Sequence, residues 1–301
     1  MRVLVTGIEG RLTQLVAGVL ANTPQTEVIV TGSSAAVLPG VTLVGPLPRG
    51  NALVELLHTT KPDLIIHLDQ PGEEQFGARG GVLHTIDLLR AARLAEVRRV
   101  LLRSSTLIYG ADPAQPVVHY EQDPLYAHAR PDLIRDYVAI EQAAAAVEPQ
   151  IPQLSILRCA PTLAVGQITA PFAAYLSQPR PFSMQGFNPR IQVLHLDDAV
   201  VGFVLAALNP SGGIFNLAAD GTVLLEQAIR LVGKRHLALP EAAFSDLALT
   251  RPLLGPIRAS LPFDPAFLKY SCIADTSRAK QLLGWQPHYD AQATIGMLRA
   301  S

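Results

Sequence analysis

The segment that joins the first predicted strand to the first predicted helix carries a recognisable chemical pattern. Gly7 directly follows the β-branched run 2–6, and Gly10 comes three residues later, just ahead of Arg11 and Leu12. One glycine permits a tight turn, and the other lets a phosphate approach the free N–H groups of a helix N-terminus. The spacing predicts a pyrophosphate site, and an ordinary glycine turn is the alternative interpretation.

The elements that would position this loop alternate regularly along the first 160 residues. Apolar runs predict strands, and apolar residues at helical spacing predict helices. The predicted strands are 2–6, 27–30, 41–44, 63–68, 99–103 and 151–158, and the predicted helices are 10–21, 52–58, 82–95 and 131–147. Repeated β-α-β units predict an α/β fold, a doubly wound parallel Rossmann sheet with helices on both faces.

The pattern changes after residue 160, where prolines become dense. We expect residues 1–160 to form a dinucleotide-binding core, to which 192–217 return. Residues 161–191 and 218–301 then form a small discontinuous C-terminal lobe on the substrate side.

Composition excludes several classes of protein. The 301 residues are 49% hydrophobic and 16% charged with a net charge of −1, which indicates a globular chain without a nucleic-acid footprint. The two cysteines and eight histidines lack metal-site spacing, so we predict no metal. No signal peptide is visible, and no apolar run reaches the roughly 20 residues of a membrane span, which favours a cytoplasmic location.

Seven segments, taken in order, resemble the extended short-chain dehydrogenase/reductase superfamily, also called the NAD-dependent epimerase/dehydratase family. In chain order they are Lys61–Leu68, Leu88–Ala92, Arg103–Gly110, Leu157–Arg158 with Gly166, His195–Ala199, Gly213–Leu217 and Leu283–Pro287. The resemblance covers nearly the whole chain and implies a Rossmann fold with an NAD or NADP cofactor.

Two further segments resemble a divergent, UDP-glucose 4-epimerase-like branch of that family. They are Gly186–His195 and the pair Arg135-Asp136 ahead of Glu141. This resemblance implies a small-molecule substrate of the nucleotide-sugar kind. Membership of the family also implies a homodimer built on the helices near 82–95 and 131–147.

The family's active members use a serine or threonine, a tyrosine and a lysine, in which the lysine charge lowers the tyrosine pKa. The resemblance places Ser105 at the serine position. Counting back from Glu141 places Leu133 at the tyrosine position and Tyr137 at the lysine position. We therefore predict Ser105 and Tyr137 as the catalytic residues, although Ser105 equally fits a backbone-capping hydroxyl and Tyr137 a packing aromatic.

Other positions of the family pattern also differ here. Gly81 stands in place of the helix asparagine, Asp69 and Gln70 in place of small residues, and Pro46 near the adenine-binding aspartate. Two interpretations stay open. Either acid/base work has moved to Tyr137, Tyr126, Arg135 or His128, or the protein is a non-catalytic nucleotide-binding sensor or scaffold.

The end of the second strand normally selects the dinucleotide. Residues 30–34 contain no carboxylate to bind a ribose 2′-hydroxyl, which favours NADP slightly over NAD. The predicted cofactor contacts are Gly7, Gly10, Arg11, Leu12, Ser33, His67 and Ser104.

Overall fold

A seven-stranded sheet forms the centre of the computed structural model. The structure describes residues 1–7, 9–32, 38–68, 77–126, 132–166, 171–244, 261 and 263–300, without the side chains of 77–80, 132, 133 and 300. The strands are β1 (Arg2–Thr6), β2 (Glu27–Val30), β3 (Val41–Leu43), β4 (Leu64–His67), β5 (Arg99–Ser105), β6 (Gln153–Cys159) and β7 (Gly213–Leu217). Their order is β3-β2-β1-β4-β5-β6-β7, and every neighbouring pair is parallel. This order confirms the predicted doubly wound α/β fold.

Helices connect the strands and cover the sheet. They are α1 (Arg11–Ala21), α2 (Asn51–Thr60), α3 (Gly77–Leu94), α4 (Asp132–Val147), α5 (Pro171–Ser177), α6 (Leu196–Leu208), α7 (Leu225–Leu231), α8 (Ser277–Leu283) and α9 (Ala291–Gly296). Single turns of 3-10 helix occupy Thr106–Tyr109, Glu148–Gln150, Glu241–Phe244, Pro265–Leu268 and Met297–Ala300.

The two faces of the sheet bury different helices. On one face, Leu101 of β5 packs in a core that includes Val16 of α1 and Phe203 of α6. On the other face, Leu102 packs with residues of α2, α3 and α4. Because successive side chains of a strand point to opposite faces, the positions of Leu101 and Leu102 determine which face each other residue of β5 occupies.

A separate apolar cluster lies within the C-terminal part of the chain. It includes Phe172 and Tyr175 of α5, Ile229 of α7 and Ile295 of α9. Short strands accompany it at Thr162–Leu163, Phe182–Met184, Arg190–Ile191, Leu194–His195, Val223–Leu224 and Leu237–Leu239, and another pair joins Val118–His119 to Ile273–Ala274.

One side chain ties the C-terminal segment to α6. Buried Asp198 accepts hydrogen bonds from the backbone N–H groups of His288 (2.8 Å) and Tyr289 (3.1 Å), and its own carbonyl accepts from the Trp285 indole (2.9 Å). Trp285 is completely buried. Two of the segments that carried the family resemblance, 195–199 and 283–287, therefore hold each other in place.

Most predicted boundaries shift by one or two residues, and two of the differences bear on the candidate site. α3 begins at Gly77, five residues before the predicted start, although glycine disfavours helix. β5 continues through Ser104 and Ser105 because these residues pair in register with Arg158 and Cys159 of β6. For β5, pairing with β6 therefore extends the strand beyond its local signal.

Candidate functional site

The carboxyl ends of three adjacent strands bring most of the predicted site residues to one edge of the sheet. β1 ends before Gly7, β4 ends at His67, and β5 ends at Ser105. Thr6 pairs with His67, and His67 pairs with Leu102, so β1 and β4 end level with each other while the adjacent β5 continues three residues further. Ligands of open α/β sheets bind at this edge, where the strand order reverses between β1 and β4.

The glycine turn has the predicted backbone geometry. Gly7 has a φ of 81°, a conformation that glycine adopts without strain. The Gly10 N–H donates to the Gly7 carbonyl at 3.0 Å, which closes the turn before α1. Gly10 is the residue that precedes α1, with φ −75° and ψ 136°.

The N-terminus of α1 has neither a side-chain cap nor an acidic first turn. The first backbone N–H groups of a helix have no partner within the helix and favour an anion. Arg11 adds a guanidinium here, one nitrogen of which donates to the Val165 carbonyl at 3.1 Å, while the Leu12 side chain is buried in the core.

His67 lies in a buried chain of hydrogen bonds. Its Nδ1 is 2.6 Å from the Thr6 hydroxyl and its Nε2 is 2.8 Å from the Thr85 hydroxyl. Because the Thr85 hydroxyl donates to the Gly81 carbonyl, it accepts from Nε2, so we assign the Nε2–H tautomer. Burial, and secondarily the charge of His84, lowers the pKa of His67 to about 3, so the ring is neutral.

Ser105 begins the 3-10 turn 106–109. Its hydroxyl oxygen accepts from the Leu107 N–H at 3.2 Å, and the side chain is almost buried at the strand end. The capping interpretation is therefore realised in the structure. It uses the oxygen as an acceptor and is compatible with donation of the hydroxyl proton to a ligand.

Ser104 points to the opposite face and enters a buried ion pair. Its hydroxyl donates to Glu141 Oε1 at 2.5 Å, and Arg158 Nη2 donates to Glu141 Oε2 at 2.6 Å. All three residues are at least 95% buried. Burial by itself would lower the pKa of Arg158, but its hydrogen bonds to Glu141 raise it, so the guanidinium stays charged.

The same network continues to β7. Arg158 Nη1 donates to the Tyr109 hydroxyl (2.8 Å), which donates to the Asn216 side-chain oxygen (2.8 Å). The Asn216 backbone N–H donates to Glu121 Oε1 at 2.9 Å. The sequence did not indicate Glu121, which lies in a polar loop without a recognisable motif. Nor did it indicate Thr85, a lone threonine in an apolar helix pattern.

Tyr137 is buried within a small apolar cluster. Its neighbours there are Ile108, Ile134 and Val138, so the ring packs beside the 3-10 turn that follows Ser105. The alternative Tyr126 lies in the loop before α4, where its hydroxyl donates to Asp112 at 3.0 Å. A Cβ at Gly110 would stand 2.4 Å from the Tyr126 ring, so that contact requires glycine.

Several predicted residues lie outside the described residues. These are Ser33, Asp69, Gln70 and His128, together with the side chain of Leu133. Gly81, at the asparagine position, is buried in α3, and Pro46 is exposed after β3. Among the described residues, no group of three His, Cys, Asp or Glu side chains forms a metal site. Within the same part of the chain, no helix is long and apolar enough to span a membrane.

A family model and several relatives match this chain. The model of the NAD dependent epimerase/dehydratase family matches residues 3–218. Uncharacterized proteins of Mycobacterium tuberculosis and Mycobacterium bovis are 27% identical over 251 residues, which cover 80% of this chain. The match spans 66% of the length of these curated relatives.

Solved structures share the whole fold at low identity. UDP-N-acetylglucosamine 4-epimerase from Bacillus cereus has a TM-score of 0.68 at 15% identity, covering 100% of this chain and 98% of its own. dTDP-glucose 4,6-dehydratase from Bacillus anthracis, in complex with NAD, has a TM-score of 0.74 at 13% identity, with coverages of 100% and 96%. UDP-glucose 4-epimerase from Thermotoga maritima, with UDP-glucose, has a TM-score of 0.73 at 16% identity, with coverages of 100% and 98%.

Proposed function

Because the chain belongs to the NAD dependent epimerase/dehydratase family, we propose that it binds a nicotinamide dinucleotide at the carboxyl edge of its sheet. The observation that carries this proposal is the glycine turn before the uncapped N-terminus of α1. There the N–H groups of α1 and the guanidinium of Arg11 would hold the pyrophosphate. Ser105, at the end of β5, would face the nicotinamide half.

The conformation of Gly10 supports this assignment. Its φ and ψ are open to any residue, and an added Cβ would meet the Thr13 hydroxyl at 3.4 Å and the Gly7 carbonyl at 3.5 Å, both ordinary contacts. Protein packing among the described residues therefore does not require glycine here. A phosphate lying against the backbone would require it.

The choice between NAD and NADP is part of the proposal. The slight lean to NADP depended on the lack of a carboxylate at the end of β2. The solved structures of similar fold do not support it, since the dehydratase from Bacillus anthracis was solved with NAD. We therefore propose NAD(H) as the first cofactor to test, with NADP(H) beside it.

Substitution of Gly10 separates loss of the site from loss of the fold. In Gly10→Asp, the new carboxylate caps α1 and adds about 0.3–1 kcal/mol of stability. The same carboxylate occupies the N–H groups and repels a phosphate, so we expect at least a tenfold loss of dinucleotide affinity. Calorimetric titration and thermal unfolding would measure the two opposite effects.

Two control variants sharpen this experiment. Gly10→Asn caps the helix without the charge, so it should weaken binding less than Gly10→Asp. Gly18→Ala, in open space on α1, should stabilise the helix by about 1 kcal/mol without affecting the ligand. Unchanged dinucleotide affinity in Gly10→Asp would show that the turn is not a phosphate site. A dinucleotide concentration of about 100 times the dissociation constant should raise the free energy of unfolding of the wild type by roughly 2.7 kcal/mol.

For the substrate, we propose a nucleotide sugar, on which the protein performs epimerase, dehydratase or related redox chemistry. Support comes from the family and from the similarity over the whole chain to epimerases and a dehydratase of such substrates. Residues 161–191 and 218–301 would form the substrate-side lobe. Ser105 and Tyr137 are the proposed acid/base pair, so Ser105→Ala and Tyr137→Phe should each reduce turnover of UDP-glucose or dTDP-glucose in the presence of NAD.

A non-catalytic sensor or scaffold is the second candidate. The packing of Tyr137 against Ile108, Ile134 and Val138 favours it, because this is the environment of a core aromatic side chain. Dinucleotide binding without turnover of either nucleotide sugar would support this candidate. Unchanged turnover in both Ser105→Ala and Tyr137→Phe would instead show that other residues act.

We also propose a homodimer that pairs α3 and α4 with those of a second chain. α3 packs against α4 and exposes Leu83 (52%) and Leu94 (55%) on its outer side. Analytical ultracentrifugation of the wild type and of Leu83→Glu would test it. A wild type that sediments as a monomer at micromolar concentration contradicts this proposal.

A further inference from the structure

β5 carries a positive charge on the face that bears the candidate site. Ser104 points toward Glu141 of α4, whereas Leu101 packs beneath α1 and α6. By strand alternation, Arg103 and Ser105 share the face of Leu101. Arg103 is only partly exposed, two residues before the end of the strand.

The neighbouring strand supports this position of the Arg103 charge. Arg103 pairs with Leu157 of β6, and Ser105 pairs with Cys159. Leu157 and Cys159 both pack in the core beneath α1 and α6. Burial raises the pKa of the Cys159 thiol to about 11, and the Arg103 charge opposes that rise. The guanidinium is thus close enough to act on a side chain at the carboxyl end of β6.

The strand order indicates which half of a dinucleotide this charge would meet. The residue that selects the adenine ribose follows β2, so the adenosine half belongs to the β1–β3 side of the sheet. The nicotinamide half then belongs to the other side, which starts with β4 and β5. Arg103 and Ser105 both lie on that second side.

We propose that Arg103 supplies a fixed positive charge to the nicotinamide end of the site, so that the protein binds reduced dinucleotides more tightly than oxidised ones. This inference rests on the proposed function. An oxidised nicotinamide ring carries a positive charge and a reduced ring is neutral, so a fixed cation repels only the oxidised form. Tyr137 stands where the family has a lysine on α4, and the cation of this site would come from β5 instead.

The experiment measures the dissociation constants of NAD⁺, NADH and ADP-ribose for the full chain and its variants. Two unit charges about 12 Å apart, at an effective dielectric constant of about 20, change an affinity about tenfold. In Arg103→Met we therefore expect the preference for NADH over NAD⁺ to fall about tenfold, with ADP-ribose affinity unchanged because it lacks the ring. Arg103→Lys should keep most of the preference.

Arg99→Met is the matched control. Arg99 lies on the same strand and face, about 13 Å away at the amino end, where it donates to the carbonyls of Ala207 and Asn209. Its loss should lower stability without changing the ratio of affinities. The same measurements with NADPH and NADP⁺ would repeat the comparison on the other cofactor.

Three outcomes would overturn the inference. An unchanged ratio in Arg103→Met with binding intact shows that Arg103 does not act on the ring. An equal loss for all ligands, including ADP-ribose, assigns the residue to the phosphates. If wild type binds neither dinucleotide at millimolar concentration, the proposed function fails and the role of Arg103 fails with it. Thermal unfolding of each variant identifies any that does not fold.

Discussion

The two serines at the end of β5 belong to two different regions of the molecule. Ser104 joins a buried network with Glu141, Arg158, Tyr109 and Asn216, in which each of these side chains has a hydrogen-bond partner within 3.2 Å. Ser105 lies on the opposite face, at the same carboxyl edge of the sheet as the glycine turn, where the α1 N-terminus has no side-chain cap. The first region is satisfied within the protein, and the second has capacity for a ligand.

This difference shows which part of the family's sequence pattern serves the fold. Tyr109, Arg158 and Asn216 all come from segments that carried the family resemblance, and all three lie in the buried network. They position β5, β6 and β7 relative to one another. Such residues specify the fold whether or not a tyrosine and a lysine are present on α4.

Substitution of Arg158 should give the largest effect on the network. Arg158→Met leaves the Glu141 carboxylate buried without its cation, which typically costs about 3–5 kcal/mol. Urea unfolding at pH 7 would measure the loss. The double variant Glu141→Met/Arg158→Met should recover part of it, since no uncompensated charge remains. A loss below about 1 kcal/mol would mean that the network is not what holds these strands together.

His67 could belong to either region. It was predicted as a cofactor contact, and in the structure both of its ring nitrogens lie in a chain of buried hydrogen bonds. Its folded pKa of about 3 lies below the unfolded value of 6.5, so the unfolded state binds more protons between these limits. The contribution of His67 to the free energy of unfolding is fully present above pH 6.5. On acidification below that pH it falls by about 1.4 kcal/mol per pH unit.

Urea unfolding of the wild type and His67→Gln between pH 7 and pH 4 would test this dependence. His58→Gln, an exposed histidine of α2, is the control and should leave the slope unchanged. If His67→Gln keeps the wild-type slope, other groups cause the acid loss. If it weakens dinucleotide binding at constant stability, His67 belongs to the site instead.

The smallest effect should come from the serine pair. Ser104→Ala removes a donor from buried Glu141 and should cost about 1–3 kcal/mol without changing ligand affinity. Ser105→Ala removes only the cap of a 3-10 turn, about 1 kcal/mol, and should weaken dinucleotide or substrate binding. Equal effects of the two substitutions on ligand binding would contradict the proposal that only the Ser105 face of β5 belongs to the binding site. Unfolding and titration of both variants provide the measurements.

The sequence predicted the strands of the core well, because buried parallel strands are short apolar runs bounded by turn residues. Gly7 and Gly10 were identifiable for a similar reason, since a local backbone requirement leaves a local signal. Glu121 and Thr85 were not, because each acts through a partner far away in the chain. The partners of Ser104 and Ser105 likewise depend on which face of β5 each residue occupies.

The sequence by itself determined the alternation of strands and helices, the glycine turn at the first helix and the absence of a lysine one turn before Glu141. These features are local, and spacing along the chain expresses them directly. Only the tertiary structure decided that Ser104 is engaged by an ion pair, that His67 is a neutral buried ring and that Arg103 shares a face with Ser105. Those facts depend on strand register and burial, which bring together side chains that the sequence separates by tens of residues.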